Sequence, residues 1–219
     1  MVLVLLIKKK NILKNIKIIC KKIGCHRNKL VLLHQIHSSK IFFIKNNYNF
    51  KKKIKSDASI TQTKNVALGI LTADCVPVLI YDKKLKIISA VHAGWKGAYK
   101  GIVTKVINFF LKKGSKLNDL TAVIGPSIFQ KNYEVQKDFK AKFLKKDTKN
   151  KKFFKTMVKK TYFSLNNYIY YQLKKKGIKK LEIIQKNTFD PKNNLFSARR
   201  SAQNYEDDYG RNISTIMIK

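Results

Sequence analysis

Three apolar, β-rich runs crowd the middle of the chain: Val66–Leu71, Val78–Tyr81 and Lys86–Val91. The last two are separated by Asp82-Lys83-Lys84, a short polar turn, and read as a hairpin. A sheet built on such a hairpin has antiparallel pairs and is not a simple βαβ winding. Further strands are expected at Leu30–Ile36, Ile41–Ile44, Leu120–Ile124, Leu181–Ile184 and Ile213–Ile218. Apolar Ile12, Leu13, Ile16, Ile19 and Ile23 at helical spacing predict a helix over Asn11–Lys22. Two more helices are expected over Ala98–Lys113, stopping at Gly114, and over Val135–Lys146. A fourth runs to Lys176 from Ser164 as N-cap, with Gly177 beyond its end. The class is α+β. With 219 residues, no internal repeat and no Pro- or Gly-rich linker, a single domain with its own core is expected.

The net charge of +36 invites a nucleic-acid function. Only Arg27, Arg199, Arg200 and Arg211 are arginines; the remaining cations are lysines spread along nearly every segment. Lys, Ile, Asn, Phe and Tyr share A/T-rich codons, so coding bias produces this composition without selection for binding. Specific nucleic-acid surfaces favour Arg, whose planar fork reads phosphate and guanine in two-pronged fashion. The expectation is weak, salt-sensitive association with polyanions and no specific nucleic-acid partner. Met1–Ile7 is too short to span a bilayer and lacks the flanks of a signal peptide. Cys20, Cys25 and Cys75 are too few for a disulfide scaffold. A cytoplasmic location with no membrane partner follows as an expectation.

A metal or acid–base site must draw on four histidines: His26, His34, His37 and His92. His34 and His37 lie three apart in a segment that reads as a strand, so they point to opposite faces and cannot both hold one ion unless the strand breaks between them. Thr72-Ala73-Asp74-Cys75 places polar groups where an apolar run ends, and Pro77 stops regular pairing. His92-Ala93-Gly94-Trp95-Lys96-Gly97 joins a strand to a helix through small residues that let backbone approach a ligand. Each motif alone also reads as ordinary turn chemistry, with Trp95 as a packing plug. Together they put His37, Cys75 and His92 at three strand ends, a ligand set of the kind that catalytic zinc uses with one position left open.

Gln35-Ile36-His37-Ser38, Leu71–Val78 and His92–Gly97 resemble the YfiH family, long labelled polyphenol oxidase or laccase domain. Ile124-Gly125-Pro126-Ser127-Ile128, Tyr133-Glu134-Val135 and Phe196-Ser197-Ala198-Arg199-Arg200 extend the likeness in the same order, from about residue 11 to the end. The resemblance implies mixed sheets in a sandwich flanked by helices. It implies a zinc-dependent enzyme that phosphorolyses adenosine, inosine, guanosine and methylthioadenosine and deaminates adenosine. It also implies His37, Cys75 and His92 as the metal ligands.

Within that reading Asp74, the nearest carboxylate, is the expected proton carrier, provided the strand has ended before it. Arg199, Arg200 and Lys96 are the expected contacts to phosphate or ribose; Lys96 stands where Arg is common in the family. One of the arginines could instead make a buried ion pair, and Tyr133 or Trp95 could stack on the base. Residues 1–10 do not match the family's longer opening segment and are expected to mark a truncation or a misplaced start.

Two other readings stay open. One is a copper-dependent phenol oxidase using a single copper in the same ligands, since four histidines are too few for a multicopper architecture. The other is a non-enzymatic protein that binds polyanions through its lysine coat.

Overall fold

The hairpin expected in the middle of the sequence is also the middle of the fold. The structure, a computed structural model, describes residues 3–7, 12–46, 48–49, 54–206 and 209–219. In chain order its strands are β1 Leu3–Ile7, β2 Leu30–Leu32, β3 Ile41–Ile44, β4 Ala58–Thr61, β5 Ala67–Thr72, β6 Val76–Asp82, β7 Ile87–Ala93, β8 Leu120–Ile124, β9 Glu134–Val135, β10 Phe154–Met157, β11 Lys160–Phe163, β12 Lys180–Ile183 and β13 Arg211–Met217. The α-helices are α1 Ile12–Ile23, α2 Trp95–Tyr99, α3 Ile102–Lys112, α4 Lys137–Lys146, α5 Leu165–Lys175 and α6 Ala198–Gln203.

β6 and β7 pair antiparallel, and Asp82 Oδ1 accepts the Lys84 and Leu85 N–H groups to close their turn. They sit inside a six-stranded sheet ordered β12-β8-β6-β7-β4-β3. Strand alternation then sorts the side chains. Val76, Val78 and Ile80 of β6 join Ile87 and Val91 of β7 in a core shared with α3 and α5. Burying Val106, Ile107 and Phe110 of α3 there contributes about 1.5–3 kcal/mol per side chain.

Leu79, Ile88 and Ala90 face the other way, against Val31, Leu68, Ile70 and Ile218. Those partners belong to, or directly follow, a four-stranded sheet ordered β1-β13-β5-β2. α1 covers the far side of this sheet by packing Ile19 and Ile23 on Ala67 and Ile213. The layers are therefore helix, sheet, sheet, helices, the sandwich flanked by helices that the family resemblance implies. β10, β11 and β9 form a small third sheet.

Several elements differ from expectation for identifiable reasons. The strand expected over Leu30–Ile36 stops at Leu32, and His37 has a left-handed backbone with φ 55°. His37 therefore lies on a loop and not at a strand end. Ala98–Lys113 is two helices, because Gly101 takes φ 74° between α2 and α3. Val135 belongs to β9, so α4 starts only at Lys137. Ser164 does precede α5, but its hydroxyl donates to Asn166 Oδ1 and makes no capping bond. Leu13 is exposed, so α1 uses Ile19 and Ile23 as its buried stripe. Residues 3–7 are a strand paired antiparallel with β13; residues 1–2 and 8–10 of the unmatched segment lie outside the described residues. Among the described residues no helix is long and apolar enough to cross a membrane.

Candidate metal centre

His92, near the end of β7, shares a face with Ile88 and Ala90, so its ring points into the layer between the two sheets. Opposite it, just before β4 and one step beyond the Ala58–Val91 pair, stands Asp57, fully buried. The main chains meet through His92 N–H donating to the Asp57 carbonyl at 2.7 Å. The side chains meet through His92 Nδ1 and Asp57 Oδ1 at 2.8 Å.

The same carboxylate accepts N–H bonds from Ile36, His37 and Ser38, the last at 2.6 Å, and the Ser38 hydroxyl at 2.6 Å. Gln35 ties this loop to β5: its side chain donates to the Leu71 carbonyl at 2.7 Å and accepts the Leu71 N–H at 2.9 Å. Gln35 thus replaces the strand pairing that β2 has given up.

Cys75 lies between β5 and β6. Its Sγ is 3.9 Å from His37 Nε2, and the rings of His37 and His92 meet edge to face at 4.8 Å. The three potential ligand atoms all lie within 4.8 Å of one another, and closing on a tetrahedral zinc ion would draw them in to separations of roughly 3.5 Å. His37 is exposed, Cys75 half-buried and His92 buried, so the cluster opens to solvent on the His37 side. A Cβ on Gly94 would lie 2.9 Å from His37 Cδ2, 3.2 Å from Cys75 Sγ and 3.6 Å from His92 Cε1. At Gly97 it would lie 2.6 Å from the Ser38 carbonyl oxygen. Both glycines of the His92–Gly97 motif are therefore required by close approach to the cluster and its loop.

The electrostatics follow from this wiring. Burial pushes the Asp57 carboxyl up, but hydrogen bonds from His92 and Ser38, with the charge of His92, hold it at about 2. Burial pushes His92 down, and hydrogen bonds to Asp57 and Cys75, with their charges, lift it to about 9. Burial raises the Cys75 thiol, and hydrogen bonds from His37 and His92, with the His charges, bring it down to about 7. The arrangement favours thiolate, imidazolium and carboxylate in a row, and the thiolate is the form that binds metal.

The other expected site residues separate. Asp74 has φ 86°, so the strand has ended before it, as its proposed role requires. Its Oδ1 accepts from Thr188 Oγ1 at 2.7 Å and its Oδ2 from the Arg199 N–H at 2.7 Å, which fastens the start of α6 to the Cys75 turn. Arg199 donates to the Glu134 carbonyl and lies over the Tyr133 ring. Tyr133 is held above its ordinary pKa by burial and then by the Cys75 charge, so it too lies near the cluster. Arg200 is turned into the fold: its guanidinium clasps the carbonyls of Thr188, Phe189 and Leu195. Lys96 is exposed on α2 with Nζ 5.7 Å from the Trp95 ring centre. His34 is exposed and bridges Lys55 through its backbone, and His26 caps a short turn elsewhere.

Sequence reasoning passed over Asp57 and the Asn187-Thr188 hub. Asp57 carried one usable signal, an acidic residue in a chain with only 12, directly before the alternating run Ala58–Thr61. Asn187 carried only a local Asx turn to Phe189; its bonds to the Phe129 N–H and to Asn132 Oδ1 exist only in three dimensions.

A helix-flanked sandwich with two imidazoles and a thiol at its inter-sheet mouth defines a class of protein that carries a three-ligand metal-site candidate on a sheet scaffold. Residues 8–219 match the family described as multi-copper polyphenol oxidoreductase laccase, and the chain belongs to this laccase-like YfiH family. A purine nucleoside phosphorylase of Rickettsia conorii is 36% identical over 193 residues, covering 87% of this chain and 78% of the relative. A purine nucleoside phosphorylase of Aquifex aeolicus is 35% identical over 162 residues, covering 74% of this chain and 72% of the relative. The crystal structure of Bacillus licheniformis YfiH superposes with a TM-score of 0.86 at 25% identity, over 97% of this chain and 82% of that one. YlmD of Geobacillus stearothermophilus has the same fold, with a TM-score of 0.85 at 18% identity, over 97% of this chain and 82% of that one.

Proposed function

We propose that the protein is a zinc-dependent enzyme of purine nucleosides whose metal ligands are His37, Cys75 and His92. The observation that carries this reading is the convergence of the three ligand atoms within 4.8 Å, open on the His37 side, in a chain whose relatives are named purine nucleoside phosphorylases. Two imidazoles and one thiolate suit zinc, which when bound supplies Lewis acidity and lowers the pKa of a water.

The remaining chemistry belongs to the chain's own side chains. Phosphorolysis of adenosine, inosine, guanosine or methylthioadenosine breaks the bond from the base nitrogen to C1′ and joins C1′ to a phosphate oxygen. That transfer needs a cation for phosphate and a proton for the departing base. Arg199 is assigned the phosphate, because one guanidinium N–H is engaged by the Glu134 carbonyl and an Arg side chain carries five. Lys96, exposed on α2, is assigned a supporting point charge for phosphate. Asp74 is assigned the proton, through lone pairs that Thr188 and Arg199 leave unused. The same carboxylate serves deamination of adenosine to inosine. A cytoplasmic setting, where nucleosides and phosphate meet, fits this chemistry.

Copper is the rival occupant, since a His₂Cys set also suits a single copper ion. Phenol oxidation would accompany copper, whereas zinc has no redox chemistry. The test is product formation from adenosine and phosphate, followed by chromatography for the chain and for Cys75→Ser, with metal content measured in each. Equal rates at unequal zinc content would refute the assignment of the cluster as the active site.

A further inference from the structure

We infer that Asp57 is the positioning residue of the metal centre, one buried carboxylate that sets the ring of His92 and the backbone of His37 together. The inference rests on the reading of His37, Cys75 and His92 as metal ligands and is independent of the substrate.

Every hydrogen bond that reaches the Asp57 carboxylate runs toward it. The donors are the N–H groups of Ile36, His37 and Ser38, the Ser38 hydroxyl, and His92 Nδ1. A carboxylate has only acceptor sites, so His92 must carry its proton on Nδ1. Nε2 is then the atom left to meet a metal ion, on the side where Cys75 and His37 stand.

The other half concerns His37. Its φ of 55° is a conformation that residues with a Cβ seldom adopt. Three successive N–H groups converging on one carboxylate form an anion nest that holds the turn in that shape. Without it, residues 36–38 would relax and carry the His37 ring away from Cys75. Cys75 makes no hydrogen bond to Asp57 among the described contacts, so the thiol tests the site without disturbing its positioning. Strand pairing is also spared, because the Asp57 carbonyl accepts the His92 N–H whatever side chain residue 57 carries.

Asp57→Asn puts an NH₂ where only acceptors belong. It can donate to His92 Nδ1 and shift the proton to Nε2, removing that nitrogen as a ligand. The experiment is titration of the purified chain with cobalt(II), followed by thiolate-to-cobalt charge transfer and by the visible bands that report coordination number. Circular dichroism checks folding in parallel.

The expected result is binding 10–100-fold weaker in Asp57→Asn, with altered visible bands and a folded chain. Cys75→Ser should lose the charge-transfer band and leave the helix and sheet signal intact. Asp57→Asn with unchanged affinity and bands, while Cys75→Ser loses its band, overturns the positioning role and leaves the ligand assignment standing. A starting chain that shows no thiolate band overturns both. If Asp57→Asn fails to fold, Ser38→Ala decides: it removes one donor and should weaken cobalt about two- to tenfold, the effect of one hydrogen bond. Unchanged binding in Ser38→Ala would then overturn the inference.

Discussion

A groove of about 620 Å³ runs between the start of α3, the end of α4 and α5, lined by Lys100, Lys105, Lys146, Lys175 and Lys176. Its charge exceeds that of the ligand cluster at the sheet mouth, yet its side chains do not converge. Lys105 donates to Ser39, Lys176 to Asn108 and Lys146 to the Tyr99 carbonyl. At the sheet mouth the reverse holds: donors from three neighbouring residues and a facing strand end on Asp57, and Gly94 lets three ligands close up. A site is defined by convergent, satisfied geometry, and a high density of one charge is no substitute.

The sharpest break of that contrast is removal of a ligand. Cys75→Ser and His92→Ala should each lower zinc affinity by on the order of a hundredfold or more, since structural and catalytic zinc gains its affinity from its few protein ligands. Elemental analysis of the purified variants checks this, and retention of a full zinc equivalent would place the centre elsewhere.

Gly94→Ala comes next. Its Cβ would press on His37 and Cys75, so stability should fall by about 1–3 kcal/mol and zinc should be lost in the same protein. Urea unfolding with metal analysis reads both.

A pH series sharpens the electrostatic half. Cys75 is lowered to about 7 and His92 raised to about 9, and both must shed a proton to become ligands. Zinc affinity should therefore rise with pH, with two protons released per ion below pH about 7, one between about 7 and 9, and none of these above. A competition titration with a chromophoric chelator measures the slope; a flat profile from pH 6 to 9 would contradict the coupling.

Smaller effects belong to residues outside the convergence. His34→Ala should keep its zinc and stay within about 0.5 kcal/mol of the parent in stability, as exposed substitutions do. Replacing Lys100, Lys146 and Lys175 by Gln should weaken binding to a mixed-sequence oligonucleotide no more than replacing Lys14, Lys17 and Lys21 of α1. Both sets shed the same counterions, so a selective loss from the groove set would mean that the groove is a site after all.

Legibility followed the range of the interactions. The β6–β7 hairpin is local, with Asp82 closing its own turn, and its run was visible in sequence. β8 was visible for its alternating Leu120, Ala122 and Ile124. His37, Cys75 and His92 were visible as a set because each sits in a dense local motif, although the loop geometry of His37 was not. β4 is a short run of Ala, Ser, Ile and Thr with no turn signal of its own, so Asp57 went unnoticed with it. Arg199 and Arg200 looked equivalent in sequence. Only the fold separates an arginine that clasps three carbonyls from one that faces Tyr133 beside the cluster.

The strand order β1-β13-β5-β2 has a consequence for synthesis. β13 follows every other strand in sequence and pairs with strands on both sides. A nascent chain can form the β6–β7 hairpin early. Its smaller sheet stays incomplete, and β5 keeps an open edge, until the C-terminal segment leaves the ribosome. Arg199, whose N–H anchors the turn before Cys75, emerges only shortly before that. A chain cut short before β13 would keep His37, Cys75 and His92 without the sandwich that brings them together.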